Sequence, residues 1–219
     1  MGNIVKKIIF SVMAVISLVA CQGYSSTGGP GVNFAPSLKS GSHDINKLRK
    51  VNSLLVLPVE MDRTVASNIP SNLDIDSMLN KALNDEIQIK IEHYSLNKPS
   101  SAVKPQMEDY LARARAQKID AVLHTRINSF SVRRGSALGS TDPAKVDLVM
   151  QILKSEKGEV LWNSSYHYKD QALSDNLFKI KDKLAERSAK FRSADELIDE
   201  GFRSALRDFS EKRLQSFTR

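Results

Sequence analysis

Leu54-Leu55-Val56-Leu57-Pro58-Val59 is an aliphatic run interrupted only by one proline. Four aliphatic residues without polar alternation predict a strand buried on both faces, as in parallel sheets, and the proline, which cannot donate to a ladder, stops it. Downstream, after a polar loop containing Asn72, the residues Ile75, Met78, Leu79, Ala82 and Leu83 recur at helical spacing. Ile87 to Tyr94 predicts a second strand, with Ile89 and Ile91 on one side. Pro105 opens the next helix, since a first-turn proline costs no hydrogen bond, and Met107, Leu111 and Ala114 mark its buried stripe. Ile119 to Phe130 predicts a third strand. The order β-α-β-α-β calls for parallel strands joined by right-handed crossovers.

Beyond Phe130 the pattern changes. Arg133 to Pro143 predicts a loop rich in glycine and serine. Val146 to Leu153 and Val160 to Tyr168 predict two strands joined by the turn Glu156-Lys157-Gly158-Glu159, short enough to force antiparallel pairing. Helix follows. Ser193-Ala194-Asp195-Glu196 fits a capping box, and Leu197, Ile198, Phe202, Ala205, Leu206 and Phe209 form a stripe that should close over the sheet. The expected class is α/β: a parallel β-α-β-α-β core, extended by an antiparallel hairpin, with a C-terminal helix packed on the sheet.

The N-terminus reads differently. Lys6-Lys7 precedes an apolar run from Ile8 to Ala20, too short to span a bilayer and of signal-peptide length. It ends in Leu18-Val19-Ala20-Cys21, and Cys21 is the only cysteine. That tetrad resembles the lipobox of bacterial lipoproteins. The resemblance implies Leu18, Val19 and Ala20 as signal-peptidase recognition residues, cleavage before Cys21, and diacylglycerol plus an N-acyl lipid on Cys21. Gln22, in place of aspartate, points to the outer membrane by resemblance to enterobacterial lipoproteins. Residues 1–20 are then the signal peptide, 21–50 a lipidated tether rich in Gly, Ser and Thr, and 51–219 the folded domain. The 29 residues from Gln22 to Lys50 have a root-mean-square span of about 30 Å and an extended limit near 95 Å.

Processing removes Lys6 and Lys7 and leaves 30 basic and 25 acidic residues. From Leu173 onward, 11 basic residues interleave with 9 acidic ones, a solvated helix surface and no phosphate-tracking stripe, so nucleic acid is not an expected partner. One cysteine excludes a disulfide scaffold and any cysteine-built metal centre.

Two segments carry a second resemblance. Lys118-Ile119-Asp120-Ala121-Val122-Leu123-His124 resembles the segment that opens the third strand in lipoproteins related to the TolB N-terminal domain, CsgG and LpoB. Val146-Asp147-Leu148 with Lys157-Gly158-Glu159-Val160-Leu161-Trp162 resembles their paired strands and turn. The resemblance implies a lipid-anchored accessory or assembly subunit of an envelope complex for secretion, transport or surface assembly. It would face the periplasm, act by binding, and have a homo-oligomer among its arrangements. The alternative is an LpoB-like regulator of peptidoglycan synthesis, against which the short tether weighs. CsgG-like pores need long amphipathic hairpins, and Arg133 to Lys145 lacks their alternating pattern.

No His-Glu-x-x-His motif, nucleophile elbow or phosphate-binding loop occurs, so no enzyme, metal or cofactor is expected beyond the lipid on Cys21. The best constellation is geometric. Alternation puts His124, Arg126 and Asn128 on one face of the third strand, Asp147 and Gln151 on one face of the fourth, and Asn163, Ser165 and His167 on one face of the fifth. If the strands are neighbours in register, these form one polar face: a wetted sheet surface in the plainest reading, a partner-binding surface in the functional one. Trp162, Tyr166 and Tyr168 lie opposite and read as core beneath the last helix in preference to a sugar-stacking platform. Arg133-Arg134 beside the glycine loop is an ordinary basic pair in the plainest reading and a contact for lipid headgroups or a partner in the functional one.

Overall fold

The computed structural model describes residues 37–95, 105–136, 139–142, 144–169 and 193–214. The lipobox, residues 22–36 of the expected tether and residues 173–192 of the expected helical segment lie outside them. In chain order the elements are β1 (Ser37–Ser42), α1 (Ile45–Leu48), β2 (Ser53–Val56), β3 (Glu60–Met61), α2 (Arg63–Asn68), α3 (Ile75–Glu86), β4 (Lys90–His93), α4 (Met107–Ala116), β5 (Ala121–Ser131), β6 (Arg134–Ser136), β7 (Gly139–Asp142), β8 (Lys145–Lys154), β9 (Val160–Lys169) and α5 (Ala194–Leu214).

Seven strands make one mixed sheet in the order β1-β9-β8-β5-β2-β4, with β3 pairing β5 beyond the end of β2. β2 lies between β4 and β5, parallel to both, and β8 and β9 extend the sheet antiparallel from β5. Both faces of β2 are covered, as its sequence requires. Leu54 and Val56 enter the main core with α3 and α5, while Leu55 and Leu57 enter a smaller one with Leu111 and Ala114 of α4.

Local chemistry sets the ends of the elements. Asp120 Oδ2 accepts from the backbone N–H groups of Asn52 and Ser53 and from Ser53 Oγ, at 2.8–3.0 Å, tying the start of β2 to β5. Lys118 leaves α4 with φ 55°, and Ile119 N–H closes back on Ala114 O at 2.9 Å, a Schellman end without glycine. Gly158 turns the β8–β9 hairpin at φ 66°. The capping box of α5 is present: Ser193 N–H donates to Glu196 Oε2 and Glu196 N–H to Ser193 Oγ. Pro105 precedes α4 instead of occupying its first turn, because Gln106 is the cap and its N–H donates to Asp109 Oδ2.

Three expectations need correction. Residues 37–50 are not tether. β1 adds to the free edge of β9, Asp44 caps α1, and Leu48 is fully buried in the main core. Ser37-Leu38-Lys39-Ser40-Gly41-Ser42 shows little apolar pattern because an edge strand is held by backbone hydrogen bonds. The stretch expected as a loop at 133–143 carries a two-stranded ribbon, β6 against β7. The polar loop before α3 holds β3 and α2, anchored by the buried Val65.

Candidate functional site

α5 covers one face of β8 and β9. Trp162 and Tyr166 are buried beneath it, Trp162 packs against Phe209 at 5.6 Å between ring centroids, and its Nε1–H donates to Asp208 Oδ2 at 3.0 Å. Both rings are core residues, with no exposed platform for stacking. Tyr168 is partly buried against the same cluster.

Among the described residues, the opposite face is covered by α4 only near Leu55, Val122 and Leu153. Over the rest of β5, β8, β9 and β1 it is polar, and the ladder brings the expected residues together. Gly41, Asn163, Gln151 and His124 align across four strands, as do Lys39, Ser165, Val149 and Arg126, and then Ser37, His167, Asp147 and Ser129. The exception is Asn128. A bulge between Ile127 and Ser129 leaves it exposed with no residue opposite on β8. The extra residue also shifts the alternation, so Phe130, which strict period-two counting would put on the polar face, returns to the core.

Two histidine–carboxylate pairs mark this face. His124 Nε2 lies 2.9 Å from Glu60 Oε2, and His167 Nδ1 lies 3.6 Å from Asp147 Oδ2. Arg126 reaches Asp62 at 3.6 Å. Glu60 and Asp62, like Ser37 and Lys39, were not legible as site residues. β3 is two residues long and β1 is nearly all polar, so neither gives a countable alternation. Among the described residues, no group of three or more His, Cys, Asp or Glu gathers in metal-binding geometry. Ser53 Oγ bonds the Asp120 carboxylate at 3.0 Å but also accepts from Asp120 N–H, so it braces two strands.

Two clefts lie elsewhere. One of about 460 Å³ is lined by Met61, Ile69, Leu73 and Asp76, and one of about 390 Å³ by Leu73, Phe130, Val132 and Arg133. Neither is lined by the polar-face residues. No described helix is long and apolar enough to cross a membrane. The face offers hydrogen-bond donors and acceptors of both charges.

No family model matches the chain, and no curated protein matches it in sequence. Solved structures do. The PelC dodecamer from Paraburkholderia phytofirmans aligns with a TM-score of 0.50 at 11% identity, covering 80% of this chain and 98% of that one. A lipoprotein from Neisseria meningitidis aligns at 0.36 and 17% identity, covering 63% of this chain and 97% of that one. The LpoB C-terminal domain from Salmonella enterica aligns at 0.34 and 15%, covering 55% and 84%. At these identities the likeness to PelC is one of fold alone, and the two lower scores support nothing further.

Proposed function

We propose that this protein is a lipid-anchored envelope subunit that acts by binding, using the open polar face of its sheet as a docking surface and carrying out no catalysis. The observation that carries the reading is the pairing of two features: a lipobox ending in Cys21, and a sheet with one face sealed by α5 and the other left as aligned rows of polar side chains. Attachment to a membrane raises effective concentration toward partners on the same surface, so modest affinities suffice. Outer-membrane residence and periplasmic exposure belong to this proposal and rest on Gln22 and the lipobox. Self-assembly is part of it too, supported by the fold likeness to a protein that is itself a dodecamer. The TolB- and CsgG-like aspect rests on the quoted residues alone.

Two measurements test the reading. Wild-type protein should take up labelled palmitate and fractionate with outer membranes, and Cys21→Ala should do neither. If Cys21→Ala keeps both properties, the anchor reading fails. Cross-linking in intact cells should give either a ladder of the protein's own multiples or one heterologous envelope partner. No adduct of either kind would sink the docking reading, and an adduct to a peptidoglycan synthase would select the LpoB-like alternative.

A further inference from the structure

Lysines flank both ends of the sheet. At the end where β2 begins, Lys47 meets Glu159 at 2.7 Å, Lys154 meets Glu156 at 2.7 Å and Lys90 meets Glu92 at 3.0 Å, while Lys50, Lys118 and Lys157 make no ion pair with a described residue. At the other end, Lys145 and Lys169 sit directly opposite each other on β8 and β9, in the row beyond Asp147 and His167. Neither makes an ion pair with any described residue, and neither does Lys39, two residues into β1 on the same face. Asp147, the carboxylate one row away, faces His167. Like charges directly opposite across a ladder destabilise a sheet, so this arrangement has a cost in the isolated domain.

The same end is where the chain arrives. Because β1 runs antiparallel to β9 and Ser37 lies opposite His167, the first described residue of the domain sits at the Lys169 end. Only 15 residues lie between Cys21 and Ser37, a reach of at most about 55 Å. Arg133 and Arg134, already engaged within the chain, leave β5 at this end and add positive charge, and between them and Ser131 lies Val132, 40% exposed. Two opposed lysines with no ion pair among the described residues, an exposed aliphatic side chain and the first described residue of β1 therefore coincide.

We infer that this end of the sheet, centred on Lys145 and Lys169, docks on the anionic lipid headgroups of the membrane that holds the anchor. It rests on the lipid-anchor reading above. Headgroup phosphates relieve the Lys145–Lys169 repulsion, and docking fixes which way the polar face points relative to the membrane.

The test uses lipidated full-length protein in vesicles, with Cys21 blocked by its lipid and a fluorophore on Val132→Cys or, at the opposite end, Lys157→Cys. In phosphatidylglycerol vesicles, spin-labelled headgroups should quench the label at residue 132 and spare that at 157. In phosphatidylcholine, or at high salt, the difference should vanish. Lys145→Gln/Lys169→Gln should shift the docked-to-free ratio about thirty-fold, at about 1 kcal/mol per basic residue near an anionic surface. Its urea midpoint should not fall, since a like-charge pair has gone, so lost quenching cannot be unfolding. Equal quenching at both positions, quenching unchanged in the double variant, or capture of a protein at these lysines in place of lipid would each overturn the inference. Flotation in high salt reads the anchor separately. If wild type fails to float there, the anchor reading falls, and low-salt flotation with phosphatidylglycerol decides docking: loss in the double variant supports it, absence in wild type overturns it.

Discussion

Gly201 lies where α5 meets the sheet most closely. A Cβ there would stand 2.8 Å from Leu148 Cδ2 and 2.9 Å from Tyr166 Cδ1, both on fully buried side chains with no room to retreat. Alanine would gain up to about 1 kcal/mol of helix propensity, but overpacking a filled core costs about 1–3 kcal/mol, so the clash wins. Gly201→Ala should therefore lower stability by about 1–2 kcal/mol in urea unfolding, and an unchanged midpoint would mean that α5 slides freely over β8 and β9. Sequence reading found the stripe of α5 but not this glycine, because a close approach depends on what lies beneath the helix.

The β1–α1 segment shows how an element escapes pattern reading. Its capping residue Asp44 accepts from Lys47 N–H at 3.1 Å and from Asn46 N–H at 3.0 Å. The hydrogen bond from Lys47 N–H, followed by burial in opposition and then the Lys47 charge, holds the Asp44 carboxyl below its usual 3.8. A carboxylate with a depressed folded value stabilises above its unfolded value, and that contribution fades as pH falls through the folded one. Amide exchange at Leu48 and Arg49, whose N–H groups bond Asp44 O and Ile45 O, should therefore lose protection below about pH 3.8, ahead of the core strands. Asp44→Ala should show the same loss at neutral pH, and equal protection in both proteins would show that α1 is held by Leu48 burial alone. Lys47 is displaced the other way, upward, chiefly by its bond to Glu159, which ties α1 to the β8–β9 turn.

Across the whole molecule, one face of the sheet is closed by two helices that are latched together. Glu86 at the end of α3 accepts from Arg207 Nη2 at 3.0 Å and lies 3.7 Å from Arg203 Nη1. Arg203 also holds Asp85 and Asp199, both at 2.8 Å. These bonds raise the affinity of both guanidiniums for their protons: Asp199 then Asp85 for Arg203, Glu86 for Arg207. Glu86→Gln should cost roughly 1–2 kcal/mol, and a double-mutant cycle with Arg207→Ala should recover part of that as coupling. Additive losses would show that the helices are held by apolar packing alone. With that face latched shut, the polar residues of β5, β8 and β9 lie on the opposite one.

The sequence by itself determined the α/β class, the buried β2, the hairpin and its turn, the capped C-terminal helix and the alternation that groups His124, Arg126, Asp147, Gln151, Asn163, Ser165 and His167. Each of these is written in local spacing, and spacing follows from backbone geometry that every chain shares. Only the tertiary structure decided that residues 37–50 belong to the domain, that a bulge at Asn128 returns Phe130 to the core, that Glu60 and Asp62 join the polar face, and that Lys145 meets Lys169. Those outcomes depend on which strand edges remain free and which registers meet. They are properties of pairs of distant segments, and no single segment carries them.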